Sequence, residues 1–282
     1  MAIHPYFGQS VVLTTKHDKL RLIKPAFEEL IGCEIIEVNL DTDTLGTFSG
    51  EIERVGSARD TAIQKARLGM RELGIPIGLA SEGSVGPDPL IPFLNSDIEH
   101  LVLVDDQRNI IITEKFRSLD ISVVSAKVSA TDDLTDLIKK ADFPSHRLIV
   151  RPNTVEKRDC IKGVGSLEEL MEAIRRSSLI SPDGLVVVES DLRAMHSPTR
   201  QRNIEQAANA LAHRVKHLCL SCNSPGWGRV GYEKGVCCSE CGLLNPEALR
   251  QEILGCVSCD YQKLGQLIAS ELDPATCQWC NP

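Results

Sequence analysis

The sequence has no excess of basic charge, no long apolar run and no leader-like start. With 31 Lys and Arg against 39 Asp and Glu, its formal net charge is -8. Nucleic-acid binders draw much of their affinity from cations that neutralise phosphates, so this balance argues against DNA or RNA as the ligand. No apolar stretch approaches the roughly 20 residues that cross a bilayer, which excludes an expected membrane helix. Residues 1–30 lack a charged segment followed by an apolar one, and Ser10 to Leu13 reads as a first strand. Low-complexity tracts are missing too. His17, His196, His213 and His217 stand at no spacing that would let them share a metal, so surface or helix-face roles are expected for each. These absences lead to the expectation of a cytoplasmic protein whose thiols stay reduced.

Repetition is confined to cysteine. Cys219/Cys222, Cys238/Cys241, Cys256/Cys259 and Cys277/Cys280 are four Cys-x-x-Cys pairs within the last 64 residues, separated by 15, 14 and 17 residues. Two thiolates at this spacing grip one metal from a tight turn. A second pair after roughly 12–20 residues completes a closed four-cysteine site. Eight ligands predict two structural zinc ions; a disulfide framework, the other reading, would need an oxidising compartment. Sequential pairing, Cys219/Cys222 with Cys238/Cys241 and Cys256/Cys259 with Cys277/Cys280, closes the shorter loops and is favoured on entropy, with interleaved pairing the other arrangement. Pro225-Gly226 and Lys234-Gly235 fit a small hairpin between the first two pairs. Of the remaining cysteines, Cys33 and Cys160 sit in or beside apolar runs as core residues. Cys237 precedes Cys238, which is the better ligand because Cys238-Ser239-Glu240-Cys241-Gly242 has the knuckle form.

From Cys219 onward there are four basic residues against seven acidic ones, and four thiolates per zinc add more negative charge. A protein partner, or a purely structural role, suits such a tail better than nucleic acid. The chain divides on this basis into an α/β domain over residues 1–217 and a double zinc ribbon over 218–282. The second part has too few apolar residues for an independent core and depends on metal to fold.

Upstream, strand-like and helix-like patterns alternate. Gln9 to Thr15 and Cys33 to Val38 are apolar runs flanking an amphipathic segment through Leu20, Ile23, Phe27 and Leu30, in which Pro25 would mark a fresh first turn. Ser57 to Leu73 carries a helical stripe, Ile77 to Ala80 a buried strand, and Leu101–Val104 with Asn109–Thr113 a hairpin. Ile121 to Val128, His146 to Arg151 and Leu185 to Val188 read as further strands. Helices are expected over Thr131 to Ala141, from the capping-box-like Ser166-Leu167-Glu168-Glu169 onward, and over Thr199 to His217. The sum is a three-layer α/β fold with a mixed sheet.

Ligands of open α/β sheets bind at the carboxyl ends of strands. Polar groups gather there at Thr15, Lys16 and Lys19 after the first strand, at Gly56-Ser57-Ala58-Arg59, at Ser81-Glu82-Gly83-Ser84, and at Asp191-Leu192-Arg193 with Pro198-Thr199-Arg200. Lysines at helix starts are commonly solvated. Arginines there oppose the helix dipole, and an anion nearby would relieve that. The pattern predicts phosphate contacts from Thr15, Lys16, Lys19, Arg59, Arg193 and Arg200. Glu82 and Asp191 would hold magnesium and orient a water.

Thr15-Lys16-His17-Asp18-Lys19, Gly56-Ser57-Ala58-Arg59 and Glu82-Gly83 resemble motifs of the inosine/xanthosine triphosphatase superfamily, over about the first 90 residues. Lys19 stands at that family's phosphate-binding lysine, Lys16 where it has asparagine, and Glu82 at its strand-end acid. The resemblance implies an inosine triphosphatase-like fold, magnesium, and hydrolysis of nucleoside triphosphates. The whole chain is similar to a bacterial family, without an assigned activity, that joins such a domain to a double zinc ribbon. Ala80-Ser81-Glu82-Gly83-Ser84, Pro225-Gly226-Trp227-Gly228 and Cys277-Gln278-Trp279-Cys280-Asn281-Pro282 carry that similarity. The expected function is a magnesium-dependent nucleotide phosphohydrolase. A non-catalytic adaptor that docks a protein through its zinc ribbons is the alternative.

Overall fold

A computed structural model of the chain describes residues 3–16, 18–42, 56–154 and 159–282; His17 lies outside them. The chain forms two compact units, one from Tyr6–Ala212 and the other from His213–Pro282 with the described part of Met1–Pro5.

In the larger unit β1 (Ser10–Thr14), α1 (Leu20–Ile31), β2 (Glu34–Val38), α2 (Ala58–Leu73), β3 (Ile77–Pro87), β4 (Asn95–Asp105) and β5 (Ile110–Ser118) build a five-stranded sheet of order β2-β1-β3-β4-β5. The strands β1, β2 and β3 run parallel, while β4 and β5 add antiparallel hairpins. Local chemistry sets the helix limits. Ser57 accepts the amide of Asp60 at 3.1 Å to start α2, and Gly32 and Gly74, at φ 75° and 65°, end α1 and α2. Pro25 opens no fresh turn: α1 continues through it from Leu20 to Ile31. The only local cost is a missing amide donor, because Leu22, Ile23, Ala26, Phe27 and Ile31 hold the helix by burial.

The expected single mixed sheet divides in two. Four further strands, β6 (Ser125–Val128), β7 (Leu148–Pro152), β8 (Ile161–Val164) and β9 (Val186–Ser190), form a separate antiparallel sheet of order β6-β9-β7-β8. With α3 (Thr135–Lys140) and α4 (Leu167–Ile180) it has its own core, including Leu148, Val150, Leu170, Ile174, Val186 and Val188. A separate core explains the division: this sheet covers its apolar face locally and needs no pairing with β1 to β5. A 3-10 turn at Ala194–His196 leads into α5 (Pro198–Lys216). In the smaller unit β10 (Gly228–Cys237), β11 (Leu244–Gly255) and β12 (Gln262–Leu267) form an antiparallel meander.

The two faces of the first sheet differ. Ala62, Ile63, Ala66 and Met70 of α2 pack on Ala80, Val102 and Val104. Gly69 is what lets α2 come this close, since a Cβ there would stand 2.7 Å from Val38 Cγ1 and 2.9 Å from Val12 Cγ1 and would overlap Thr14 Oγ1. Strand alternation turns Leu79, Ser81 and Gly83 to the opposite face.

Gly69→Ala should therefore lower stability even though alanine is the better helix former. A gain of about 1 kcal/mol in propensity opposes an overpacking cost of about 1–3 kcal/mol. A urea midpoint equal to or above that of the wild type would contradict the close approach.

Candidate functional site

The meander dictates where the cysteines go. Cys219/Cys222 precede β10, Cys238/Cys241 lie between β10 and β11, Cys256/Cys259 between β11 and β12, and Cys277/Cys280 follow β12. Ten residues of β10, at about 3.3 Å each, hold the first two pairs roughly 30 Å apart along the strand, too far to share one ion. Successive turns of a meander alternate ends, so the first pair meets the third and the second meets the fourth. The groups are Cys219, Cys222, Cys256, Cys259 and Cys238, Cys241, Cys277, Cys280, each with its sulfurs within 4.8 Å of one another. This corrects the sequential pairing. Loop entropy favoured the shorter closure, but strands are stiff and the loops are not free chain. Cys237 pairs with Leu244 in the β10–β11 ladder and stays outside both groups.

The geometry fits zinc. Facing sulfurs are 3.8 Å apart for Cys219/Cys259, Cys238/Cys280 and Cys241/Cys277, and 3.6 Å for Cys222/Cys256. A tetrahedron with Zn–S bonds of about 2.3 Å has edges of about 3.8 Å. Amides of Ser221 and Ser258 donate to Cys219 Sγ at 3.4 Å and Cys256 Sγ at 3.2 Å, which stabilises thiolate over thiol. Each cluster can thus hold one zinc ion as a closed site.

In the larger unit, ionisable side chains collect where β3 and β4 run on past the carboxyl end of β1. Thr14 is the last residue of β1 and pairs with Ala80, so Ser81 onward lies beyond it. Lys19 caps α1 with its backbone alone, leaving its side chain to turn inward, where Nζ donates to Ser81 Oγ at 2.8 Å. On the same face, Arg200 of α5 donates to Glu99 Oε1 at 2.6 Å and to the Leu192 carbonyl at 2.6 Å. Asn203, one turn along, donates to Asp97 Oδ2 at 2.9 Å. Gly83 is paired with Glu99 in the ladder and leaves the space this ion pair fills; a Cβ there would stand 2.5 Å from Glu99 Oε1 and would overlap Arg200 Nη2. On the α2 face, Glu82 accepts from Lys65 at 2.5 Å.

The side chains of Arg200 and Glu99 are 2% and 0% exposed. Two carboxylate oxygens here, Glu99 Oε2 and Asp97 Oδ1, are buried without a hydrogen-bond partner among the described residues. Burial pulls the Lys19 ammonium down to about 8, against the attraction of Glu99. Burial, then the negative charge of Glu99, pushes Asp97 up to about 7 despite Arg200 and the Asn203 hydrogen bond.

Of the residues singled out in the sequence, Lys19 and Arg200 share this face, while Glu82 lies on the other face of β3 within electrostatic reach of Lys19. The rest lie otherwise. Thr15 is buried and its amide bonds the Val38 carbonyl at 3.2 Å, whereas Lys16 pairs with Asp41 at 2.9 Å on the surface. Arg59 is exposed beside Asp60 at 3.5 Å. Asp191 is fully buried, but its oxygens take Arg193 at 2.5 and 2.9 Å and the amides of Arg193 and Gly163 at 3.2 and 3.0 Å. Ser81-Glu82-Gly83-Ser84 is interior to β3, not at a strand end. Sequence reasoning missed Lys65, Asp97, Glu99 and Asn203. A signal existed for two of them, because Asp97 and Glu99 alternate in phase with Leu101, putting acids on a face that continues as core.

Two predictions follow from this geometry. Cys222→Ser with Cys256→Ser should lose one of two zinc ions per chain, and Cys222→Ser with Cys241→Ser should lose both; metal analysis giving the reverse would restore sequential pairing. Asp97 keeps its proton to about pH 7 when folded but releases it near 3.8 when unfolded, so the folded state holds more protons between these values. Its stabilising contribution is full below the lower value and is lost as pH rises through 7. Asp97→Asn should therefore gain stability relative to wild type from pH 5 to pH 8, by about 2 kcal/mol at ~1.4 kcal/mol per pH unit. A difference independent of pH in urea unfolding would refute the shift.

No curated protein matches this chain. Among solved structures, the crystal structure of protein VC0702 from Vibrio cholerae is 14% identical, with 72% of this chain and 92% of that chain covered at a TM-score of 0.31, a likeness too slight to carry an argument. A family model described as Domain of unknown function (DUF6671) matches residues 65–282, which include Lys65, Glu82, Asp97, Glu99, Arg200 and all eight paired cysteines, and the chain belongs to that family.

Proposed function

We propose that the larger unit hydrolyses a phosphorylated small molecule of the nucleoside triphosphate class, on an inosine triphosphatase-like fold. The smaller unit would be a double zinc ribbon with a structural role, in a reducing cytoplasm. The observation that carries the catalytic reading is the pair of buried oxygens on Glu99 and Asp97 without a partner among the described residues, near the cations Lys19 and Arg200. Burying carboxylate oxygens without donors is costly, and such a cost persists where a ligand repays it.

Hard oxygen donors of this kind suit magnesium, which would be held by Glu99 and Asp97 in place of Glu82 and Asp191. When bound, magnesium neutralises phosphate charge and lowers the pKa of a water. Lys19 and Arg200 supply positive charge where negative charge develops on the transferring phosphoryl group. Glu82 holds Lys65 in place.

The adaptor reading has one observation in its favour. Leu249, Leu264 and Leu267 of the meander are 38%, 55% and 53% exposed, and the ladder sets Ile253 opposite Leu264 and Gln251 opposite Leu267. That makes an apolar sheet face of the kind used in protein contacts.

With a panel of nucleoside triphosphates and magnesium, at least one should be turned over, and Glu99→Gln should reduce the rate by a factor of about 100 or more. Lys19→Met should lower kcat more than it raises KM. No turnover of any triphosphate, or a Glu99→Gln variant as active as wild type, would refute the hydrolase and leave the adaptor.

A further inference from the structure

A second group of cations, away from Lys19, gathers over β8. Gly163 lies in that strand and Gly165 just past its end, and neither presents a side chain. Arg147 lies where the Gly165 side chain would be: a Cβ there would fall inside the guanidinium. A Cβ on Gly163 would stand 3.2 Å from His196 Nε2 and 3.7 Å from Arg193 Nη2. The backbone joins the segments that carry these side chains. The Arg147 amide donates to the His196 carbonyl at 3.0 Å, and the Asp191 amide donates to the Arg147 carbonyl at 2.8 Å.

Hydrogen bonding is incomplete in this corner. Asp191, the acid at its centre, is spent on Arg193 and the Gly163 amide. His196 Nε2 is 4.0 Å from Asp191 Oδ2, beyond hydrogen-bond reach. The Arg147 side chain makes no hydrogen bond or ion pair among the described residues. Glu169, whose Oε2 accepts the Gly165 amide at 2.7 Å, is a second carboxylate near Arg147, so what this corner leaves open is the hydrogen-bonding capacity of the Arg147 guanidinium rather than a net charge. Both Arg147 and the His196 ring are half-buried, so water only partly satisfies them.

We propose that Arg147 and His196, laid over the bare glycines of β8 and backed by the Asp191–Arg193 pair, form a binding subsite for a phosphate-type oxyanion of a small molecule. A guanidinium fork matches two oxygens of such a group at once, and the imidazole Nε2 can donate to a third. Because the segments carrying both residues are already paired, binding needs no ordering of the backbone. The subsite is argued from its own residues and does not rest on the hydrolase reading. Burial holds His196 below the usual histidine value, with Asp191 opposing and Arg193 and Arg147 adding to the depression. An anion seated there would favour the charged imidazolium.

The test is NMR of the histidine ring nitrogens in the full-length protein during titration with inorganic phosphate at fixed ionic strength. The His196 signal is assigned by its loss in His196→Asn. Saturable movement of that signal is expected, with its titration midpoint raised by about 0.5–1 pH unit. Arg147→Gln should weaken phosphate binding at His196 by about tenfold or more, and Arg147→Lys by less, because the charge stays and the fork goes. Lys19→Met should leave the His196 response as it is, even if it abolishes any hydrolysis. No saturable shift up to 50 mM phosphate, an Arg147→Gln variant that binds as wild type, or loss of the response in Lys19→Met would each overturn the subsite. A single-stranded oligonucleotide that moves the His196 signal at lower concentration than phosphate would overturn its assignment to a small molecule.

Discussion

The ion pair between Arg200 and Glu99 constrains the larger unit more than any other single contact. Both side chains are essentially without solvent, which costs several kcal/mol per charge unless partners are well placed. The pair therefore holds only while α5 lies over β4, while Gly83 presents no side chain, and while the Leu192 carbonyl stays in reach of Arg200 Nη1. Those three conditions join the first sheet to the segment that leaves the second. The same pair shapes the electrostatics around it: the charge of Glu99 pushes Asp97 up and supports the ammonium of Lys19, while Arg200 acts on both in the opposite sense.

The smaller unit depends on a different constraint. Its buried apolar residues are few: Val215, Pro225 and Val236 beside the cysteines Cys219, Cys238 and Cys277. A three-stranded meander with so little core does not stand on hydrophobic burial alone, and metal held by the four-cysteine clusters at its two ends would take the place a core has elsewhere. Each four-cysteine group ties together chain segments more than 30 residues apart in sequence, as the facing pairs Cys222/Cys256 and Cys241/Cys277 do. Crossed pairing also means that β10, β11 and β12 each run between the two sites.

Much of the α/β pattern was legible. The runs at Gln9 to Thr15, Cys33 to Val38 and Leu185 to Val188, the stripe from Ser57 to Leu73 and the Ser166 cap all correspond to elements, because each rests on local periodicity or local hydrogen bonding. Ser81-Glu82-Gly83-Ser84 read as lying past the end of a strand for the same reason. Small and charged residues resemble a turn when seen alone, and only pairing with Glu99, Ile98 and His100 makes them strand. Lys19, Glu82 and Arg200 were legible as polar residues beside apolar runs. Glu99 and Asp97 were not, since a strand acid looks solvated until a helix from 100 residues downstream covers it.

By itself the sequence determined the ligand set of the tail, because Cys-x-x-Cys spacing is a local property of a turn. It also determined the alternation of strands and helices and the acidic balance. Only the tertiary structure decided which cysteine pairs share a site, since strand length and meander topology are rigid, long-range constraints that loop counting does not contain. It likewise decided which charges are buried together and which remain in water. That choice depends on what covers each side chain, and the covering residues come from distant parts of the chain.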